Sequence, residues 1–167
     1  MTGEKKASAT KYHRRALMTA ADRLLVEHGY DGMNMNMLAK EANYSKATVY
    51  VYFESKDEIV RALAIERLKL LRSELKLVIK SDIALDEKLA EIQSVFTEFA
   101  TEDEVYFDFV CAKGAVSENA TESETELNAL INGIFDDLTA LLPRAELLNK
   151  WYLFYGKIKT EKLFDGE

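Results

Sequence analysis

The 167-residue sequence contains one proline, Pro143, one cysteine, Cys111, and only seven glycines. Each scarcity excludes something. A chain with so few breakers, rich in Leu, Ala, Glu and Lys, favours helix, because all four are good helix formers. No short alternating β-branched run bounded by turn residues occurs, which argues against a sheet. A single cysteine cannot close an internal disulfide, and the apolar and acidic flanks of Cys111 suit a reducing compartment. The sequence has no run of about 18 apolar residues, so no membrane-spanning helix is expected. Its polar, basic start lacks the apolar core of a secretory signal. The expected location is the cytoplasm, without a membrane partner. His13 and His28 have no Cys or His partner at metal-ligand spacing. The acidic stretches Asp136-Asp137 and Glu102-Asp103-Glu104 have no nucleophile pattern nearby and read as solvated helix faces or caps. No metal, no cofactor and no enzymatic activity are expected.

What is present is charge, unevenly placed. Residues 1–57 hold nine Lys/Arg against seven Asp/Glu, and residues 58–167 hold thirteen against twenty-two; the balances of +2 and −9 sum to the net −7. In the first sixteen residues Lys5, Lys6, Lys11, Arg14 and Arg15 face only Glu4. A basic start on an acidic body steers one end toward phosphate and the other away. Periodicity then supplies the helices. Leu17, Ala20, Ala21, Leu24, Leu25 and His28 form one stripe over about 10–28. Gly29 is placed to end that helix in the left-handed region, with Tyr30 packing back under it. Asn34 is a plausible N-cap for a short second helix with Leu38, Ala39 and Ala42 inward. Asn43 follows at a sharp turn, and asparagine tolerates the left-handed region. Ser45 caps a third helix to about Val51, with Val49 inward. Ser55-Lys56-Asp57-Glu58 has the S-x-x-E pattern of a capping box and opens a long helix with the stripe Ile59, Leu63, Leu70, Leu75 and Val78. Further helices are expected at about 84–100, 103–115, 124–141 and 144–163, with a polar stretch from Ser117 to Ser123 and a break at Pro143.

Three helices in under 50 residues, the last two joined by a tight turn, match a helix-turn-helix. The segment GYDGMNMNMLAKEANYSKATVYVYFESKDEI, Gly29–Ile59, resembles the signature of the TetR (tetracycline-repressor-like) family. Gly29, Tyr30, Leu38, Ala39, Ala42, Ser45, Thr48, Val49, Tyr50, Tyr52, Phe53, Ser55 and Lys56 stand in register with its pattern, and Arg15, Leu17, Ala20 and Ala21 fit its first helix. The resemblance covers roughly residues 11–60. Departures fall at Asn43 for the usual turn glycine, Tyr44 for a valine, Met33 and Asn34 for Thr/Ser, and Ala47 where glycine is common.

The resemblance implies an all-α fold. A three-helix DNA-binding domain (11–57) would be joined by a long connecting helix to a helical bundle (58–167) for dimerisation and ligand sensing. It implies that the third helix enters the major groove of double-stranded DNA, at a palindromic operator read by a homodimer. Lys46, Ala47 and Tyr50 would approach base edges, where lysine donates to guanine and an alanine methyl touches a thymine methyl. Ser45, as the cap, would open that helix toward the groove. Thr48, Tyr52 and Lys56 would bind phosphates, Lys56 beside the free N–H groups that open its helix. Asn34 and Asn36 would flank the groove. The Met33, Met35, Met37 run reads as gap filling.

The second half of the chain is rich in aromatic residues. In the resembled family such helices often enclose a small-molecule pocket, for which Phe96, Phe99, Tyr106, Phe107 and Phe135 are the candidates here, while core packing and a dimer interface are the more ordinary reading of the same residues. Trp151, Phe154 and Tyr155, beside Gly156, suit a closely packed partner helix. Family members often end in two long helices that build a four-helix dimer bundle; here the last helix and the one at 124–141 would do so, in a reduced or differently built interface. Net acidity favours a neutral or cationic effector. The function implied is a sequence-specific transcription regulator, a repressor released by its effector. The competing reading is a ligand-independent, DNA-bound scaffolding protein that recruits a partner through its acidic body.

Overall fold

A computed structural model describes residues 3–113 and 120–164, with side chains at 7–113 and 120–161. The described residues form eight helices and no strand: α1 (Gly3–Gly32), α2 (Met35–Glu41), α3 (Lys46–Tyr52), α4 (Lys56–Lys80), α5 (Leu85–Glu102), α6 (Glu104–Lys113), α7 (Glu122–Leu138) and α8 (Arg144–Phe164). They cluster into two compact units. One takes in the described residues of Met1–Arg67 and Val105–Leu127, the other those of Leu68–Glu104 and Asn128–Glu167. Part of the polar stretch expected before α7, residues 117–119, lies outside the described residues. No helix is long and apolar enough to cross a membrane among the described residues.

In the first unit the stripe of α1 is buried as its spacing dictates. Leu17, Ala21 and Leu25 lie at 1% exposure or less, against Leu38 of α2, Val49 of α3 and Phe53, which are equally buried. Burying one such large apolar side chain contributes about 1.5–3 kcal/mol. Met33 and Met35 join this core and Met37 is half-buried, as gap fillers. Tyr106 and Phe107 of α6 are buried in the same unit, where the Tyr106 hydroxyl donates to Asp22 of α1.

Two local expectations are corrected here. Gly29 has φ 67 but ψ 179, so it sits in a corner that essentially only glycine occupies, not in the left-handed helical region. It interrupts the helix rather than ending it, and one further turn runs to Gly32. In α4, Ile59, Leu63 and Leu75 are buried, but Leu70 is 59% exposed and Leu71 takes the inward place. The steps 63→70→75 combine seven and five residues and drift off the stripe, whereas 68, 71 and 75 keep the three-and-four rhythm.

In the second unit, α4 and α7 are joined by Arg72, whose Nε donates to Asp137 at 2.5 Å, with Lys76 3.5 Å from the same carboxylate. A Cβ on Gly133 would come within 2.7–2.8 Å of the Arg72 guanidinium, so glycine there lets the arginine lie across α7. The Arg72 hydrogen bond holds the Asp137 carboxyl below the usual carboxylate range, outweighing burial. The α7 helix ends at Leu138, three residues before the expected 141, where Thr139 turns its hydroxyl onto the Asp136 carbonyl at 2.6 Å.

Candidate nucleic-acid interface and small-molecule cavity

The turn between α2 and α3 is built from backbone hydrogen bonds. Asn43 takes φ 58, its N–H donates to Lys40 O at 3.2 Å, and Tyr44 N–H donates to Ala39 O at 2.9 Å. This pair is the Schellman arrangement, which closes the last carbonyls of a helix through one left-handed residue. Asparagine therefore performs the office of the family's glycine. Caps fix both helix starts. The Asn34 side chain accepts from Asn36 N at 3.0 Å and Met37 N at 3.1 Å, and Ser45 Oγ accepts from Thr48 N at 3.0 Å. Ser45 Oγ and Thr48 Oγ1 lie 2.7 Å apart.

Only Val49 of α3 is buried. Lys46, Ala47 and Tyr50 are exposed, the last by 44%, and the Lys46 ammonium lies 6.0 Å from the centre of the Tyr50 ring. Tyr50 and Tyr52, two residues apart on a helix, do not share a face. Accordingly Tyr52 is half-buried and its ring lies 5.8 Å from that of His13. Asn36 is exposed and Thr48 half-buried. The exposed face therefore comprises Lys46, Ala47, Tyr50 and Val51. Val51, 76% exposed, went unnoticed in the sequence although its spacing of four from Ala47 places it there.

Two further residues, Arg14 and His13, set this face and were not singled out for it in the sequence. Arg14 of α1 donates to the Tyr52 carbonyl at 2.7 Å and lies 3.5 Å from Glu58 and 4.0 Å over the Phe53 ring. His13 Nδ1 is 2.6 Å from the Tyr44 hydroxyl. At the start of α4, Glu58 N donates to Ser55 Oγ at 3.1 Å as a capping box requires, but the Glu58 carboxylate returns to Glu54 N at 2.7 Å instead of to Ser55 N. Lys56 directs its ammonium at two carbonyls, Tyr30 O at 2.8 Å and Met33 O at 3.3 Å, and lies 4.0 Å from the centre of the Tyr30 ring. An ammonium has three donors, so one remains for another acceptor.

Behind α4 the Tyr30 hydroxyl donates to Asp57, which also pairs with Lys113 at 3.3 Å. Burial, with the adjacent carboxylate, pushes the Tyr30 phenol up to about 12. Burial also works to raise Asp57, but the Tyr30 hydroxyl and the Lys113 ammonium outweigh it and hold that carboxyl below its ordinary value. Arg61, 7% exposed, reaches Glu124 at 2.9 Å and Ser123 at 3.3 Å.

The second unit contains a cavity of about 520 Å³ between α5, α7 and α8. Phe96, Phe135, Trp151 and Phe154 line it with mostly aliphatic neighbours, and Lys150, Lys157 and Asp86 supply its charge. The structure thus brings Phe96 and Phe135 together with two residues expected at a dimer interface. Phe99 is buried in this unit without lining the cavity, and Tyr106 and Phe107 belong to the first unit. Tyr155 stacks on Trp151 with ring centres 6.4 Å apart and is half-buried. The described residues contain no cluster of metal-ligating side chains.

Comparison with known proteins agrees with this geometry. Residues 17–63 match the family model of bacterial regulatory proteins, tetR family. An uncharacterized HTH-type transcriptional regulator of Haemophilus influenzae is 42% identical over 48 residues, 29% of this chain and 26% of that protein. The match therefore spans about a quarter of that relative's length. Among solved structures, the TetR family transcriptional regulator PfmR of Thermus thermophilus is 25% identical, with 81% of this chain and 72% of that chain covered and a TM-score of 0.58. The transcriptional regulator FadR of Bacillus subtilis, solved in complex with stearoyl-CoA, shares the fold at 20% identity and a TM-score of 0.60, over 92% of this chain and 89% of that one. In its helix-turn-helix, residues 17–63, the chain is thus similar to the tetR family of bacterial regulatory proteins, and its all-helical fold is similar to that of a TetR family transcriptional regulator.

Proposed function

We propose that the protein is a sequence-specific transcription regulator that binds a palindromic operator as a homodimer and is released from it by a small molecule. The observation that carries the DNA-binding part is α3 itself. It is anchored through one buried residue, Val49, and presents Lys46, Ala47, Tyr50 and Val51 outward from a rigid Schellman turn. In this reading Lys46 and Tyr50 hydrogen-bond base edges, and Ala47 and Val51 meet thymine methyls. Thr48, Tyr52 and the third Lys56 donor contact phosphates, with Asn34, Asn36 and Ser45 opening the two helices beside the groove. Residues 11–57 read DNA, and 58–167 pair the chains and sense the effector. A pair of such helices fits adjacent major grooves when they stand about 34–36 Å apart or a multiple of that.

The cavity in the second unit supports the sensing part. Its volume of about 520 Å³ falls within the ~300–1,000 Å³ of small-molecule sites. The charge of the whole chain favours a neutral or cationic effector, but the local lining holds two lysines and one aspartate. We therefore favour an apolar chain bearing an anionic head, such as the acyl-CoA seen in the Bacillus subtilis neighbour. A ligand preferring the non-binding state a hundredfold shifts the equilibrium by about 2.7 kcal/mol, which greatly weakens operator binding. The acidic balance of residues 58–167 keeps open a second reading, a DNA-bound scaffold that recruits a partner without any ligand.

Selection of bound duplexes from a random pool tests the first part, with enrichment of a two-fold symmetric site expected. A protein indifferent to duplex DNA at low ionic strength ends the reading. Trp151 is the sole tryptophan and lines the cavity, so its fluorescence reports occupancy directly. Titration with long-chain acyl-CoA is expected to change that emission and to release the selected duplex. Unaltered emission and binding would favour the scaffold.

A further inference from the structure

We infer that Lys11 and Tyr12, on the exposed side of α1, form an additional phosphate-contacting site beside α3; this rests on the DNA-binding reading. Tyr12 is 70% exposed, an unusual state for a large aromatic side chain. It does not project at random. Its ring meets His13 edge-on at 5.5 Å and 78°. The His13 ring in turn lies 5.6 Å from Tyr44 and 5.8 Å from Tyr52, with the 2.6 Å hydrogen bond to the Tyr44 hydroxyl fixing its orientation. Tyr44 precedes the α3 cap and Tyr52 is the last residue of α3. One imidazole therefore ties an exposed phenol to both ends of the reading helix.

The charge of this turn fits the same occupant. Residues 7–16 contain Lys11, Arg14 and Arg15 and no acid. Arg14 is engaged with the Tyr52 carbonyl, and Arg15 with Glu66 at 2.5 Å. Lys11 is exposed and makes no ion pair among the described residues. Lys11 and Tyr12 are adjacent on the helix surface with Ser8 and Arg15, at the three-and-four spacing that aligns side chains. An ammonium and a phenol hydroxyl, both donors and continuous with α3, suit the phosphodiester backbone flanking the groove that α3 enters.

The test uses the full chain and its pool-selected duplex, with binding followed by anisotropy between about 50 and 200 mM salt. Lys11→Ala is expected to weaken all duplexes alike and to lower the salt slope by about 0.9. Tyr12→Phe, which removes only the hydroxyl, is expected to weaken binding about three- to tenfold, with the selected sequence unchanged. Both side chains are exposed, so unfolding midpoints should stay those of the wild type. Wild-type affinity and slope in both variants overturn the inference while leaving the DNA-binding reading intact. A Tyr12→Ala variant altered in self-association alone also overturns it, by assigning the surface to a second copy. If the wild type itself ignores duplex DNA, both readings fail together.

Discussion

Arg14 offers a direct test of how α1 positions α3. Its guanidinium closes the end of α3 by donating to the Tyr52 carbonyl at 2.7 Å, lies 4.0 Å over Phe53 and approaches Glu58 at 3.5 Å. A hydrogen bond from a charged donor contributes about 1.5–3 kcal/mol, a cation–π contact about 0.5–1 kcal/mol at an exposed site, and an open ion pair about 0–1 kcal/mol. The side chain is 38% exposed, so water competes and the low end of each range applies. Arg14→Met, which keeps the aliphatic stem, should therefore cost about 2 kcal/mol, roughly a 30-fold fall in the folding equilibrium. Urea unfolding followed by circular dichroism measures this. Operator binding should weaken in parallel without a change in the preferred sequence, because Arg14 touches the backbone of α3 and not its outward face. A cost below about 0.5 kcal/mol together with undiminished operator affinity would refute the reasoning.

Gly29→Ala should destabilise by about 1–2 kcal/mol: the positive φ with extended ψ costs an L-residue about 1–3 kcal/mol, offset by about 0.4–1 kcal/mol of unfolded-state entropy. A Cβ there meets nothing within 4 Å, so unchanged stability would deny the conformational origin. Spectrophotometric titration should show one of the eight tyrosines ionising near pH 12, and Tyr30→Phe should remove it. Since that folded value is raised, its stability is intact below about pH 10 and declines as pH rises toward 12. In acid the sign reverses. Asp57 and Asp137 have lowered folded values, so their contribution is complete above about pH 4 and is lost as pH falls through those values. The double variant Asp57→Asn, Asp137→Asn should flatten the acid limb of the urea midpoint, and an unaltered limb would count against both carboxylates. Lys46→Ala should shift the selected sequence, whereas Lys56→Ala should weaken all duplexes, reduce the salt slope by about one and lower stability as Tyr30 and Met33 lose a donor; identical behaviour of the two variants would overturn their separate roles.

Much of the helix-turn-helix was legible from residue order alone because its determinants are local. A cap acts over three residues, as Asn34 and Ser45 do, and a left-handed turn needs one tolerant residue, Asn43. Helical spacing likewise sufficed to send Leu17, Leu38 and Val49 inward. Tertiary structure alone decided which long-range partners those local pieces receive. Arg14 and His13 reach across 38 and 31 residues to Tyr52 and Tyr44, and no periodicity encodes such pairs. For the same reason sequence could not divide the aromatics. Phe96, Phe135 and Trp151 enclose a cavity while Tyr106 and Phe107 fill a different core, because hydrophobic burial is non-directional and only the packed arrangement says which apolar surface meets which.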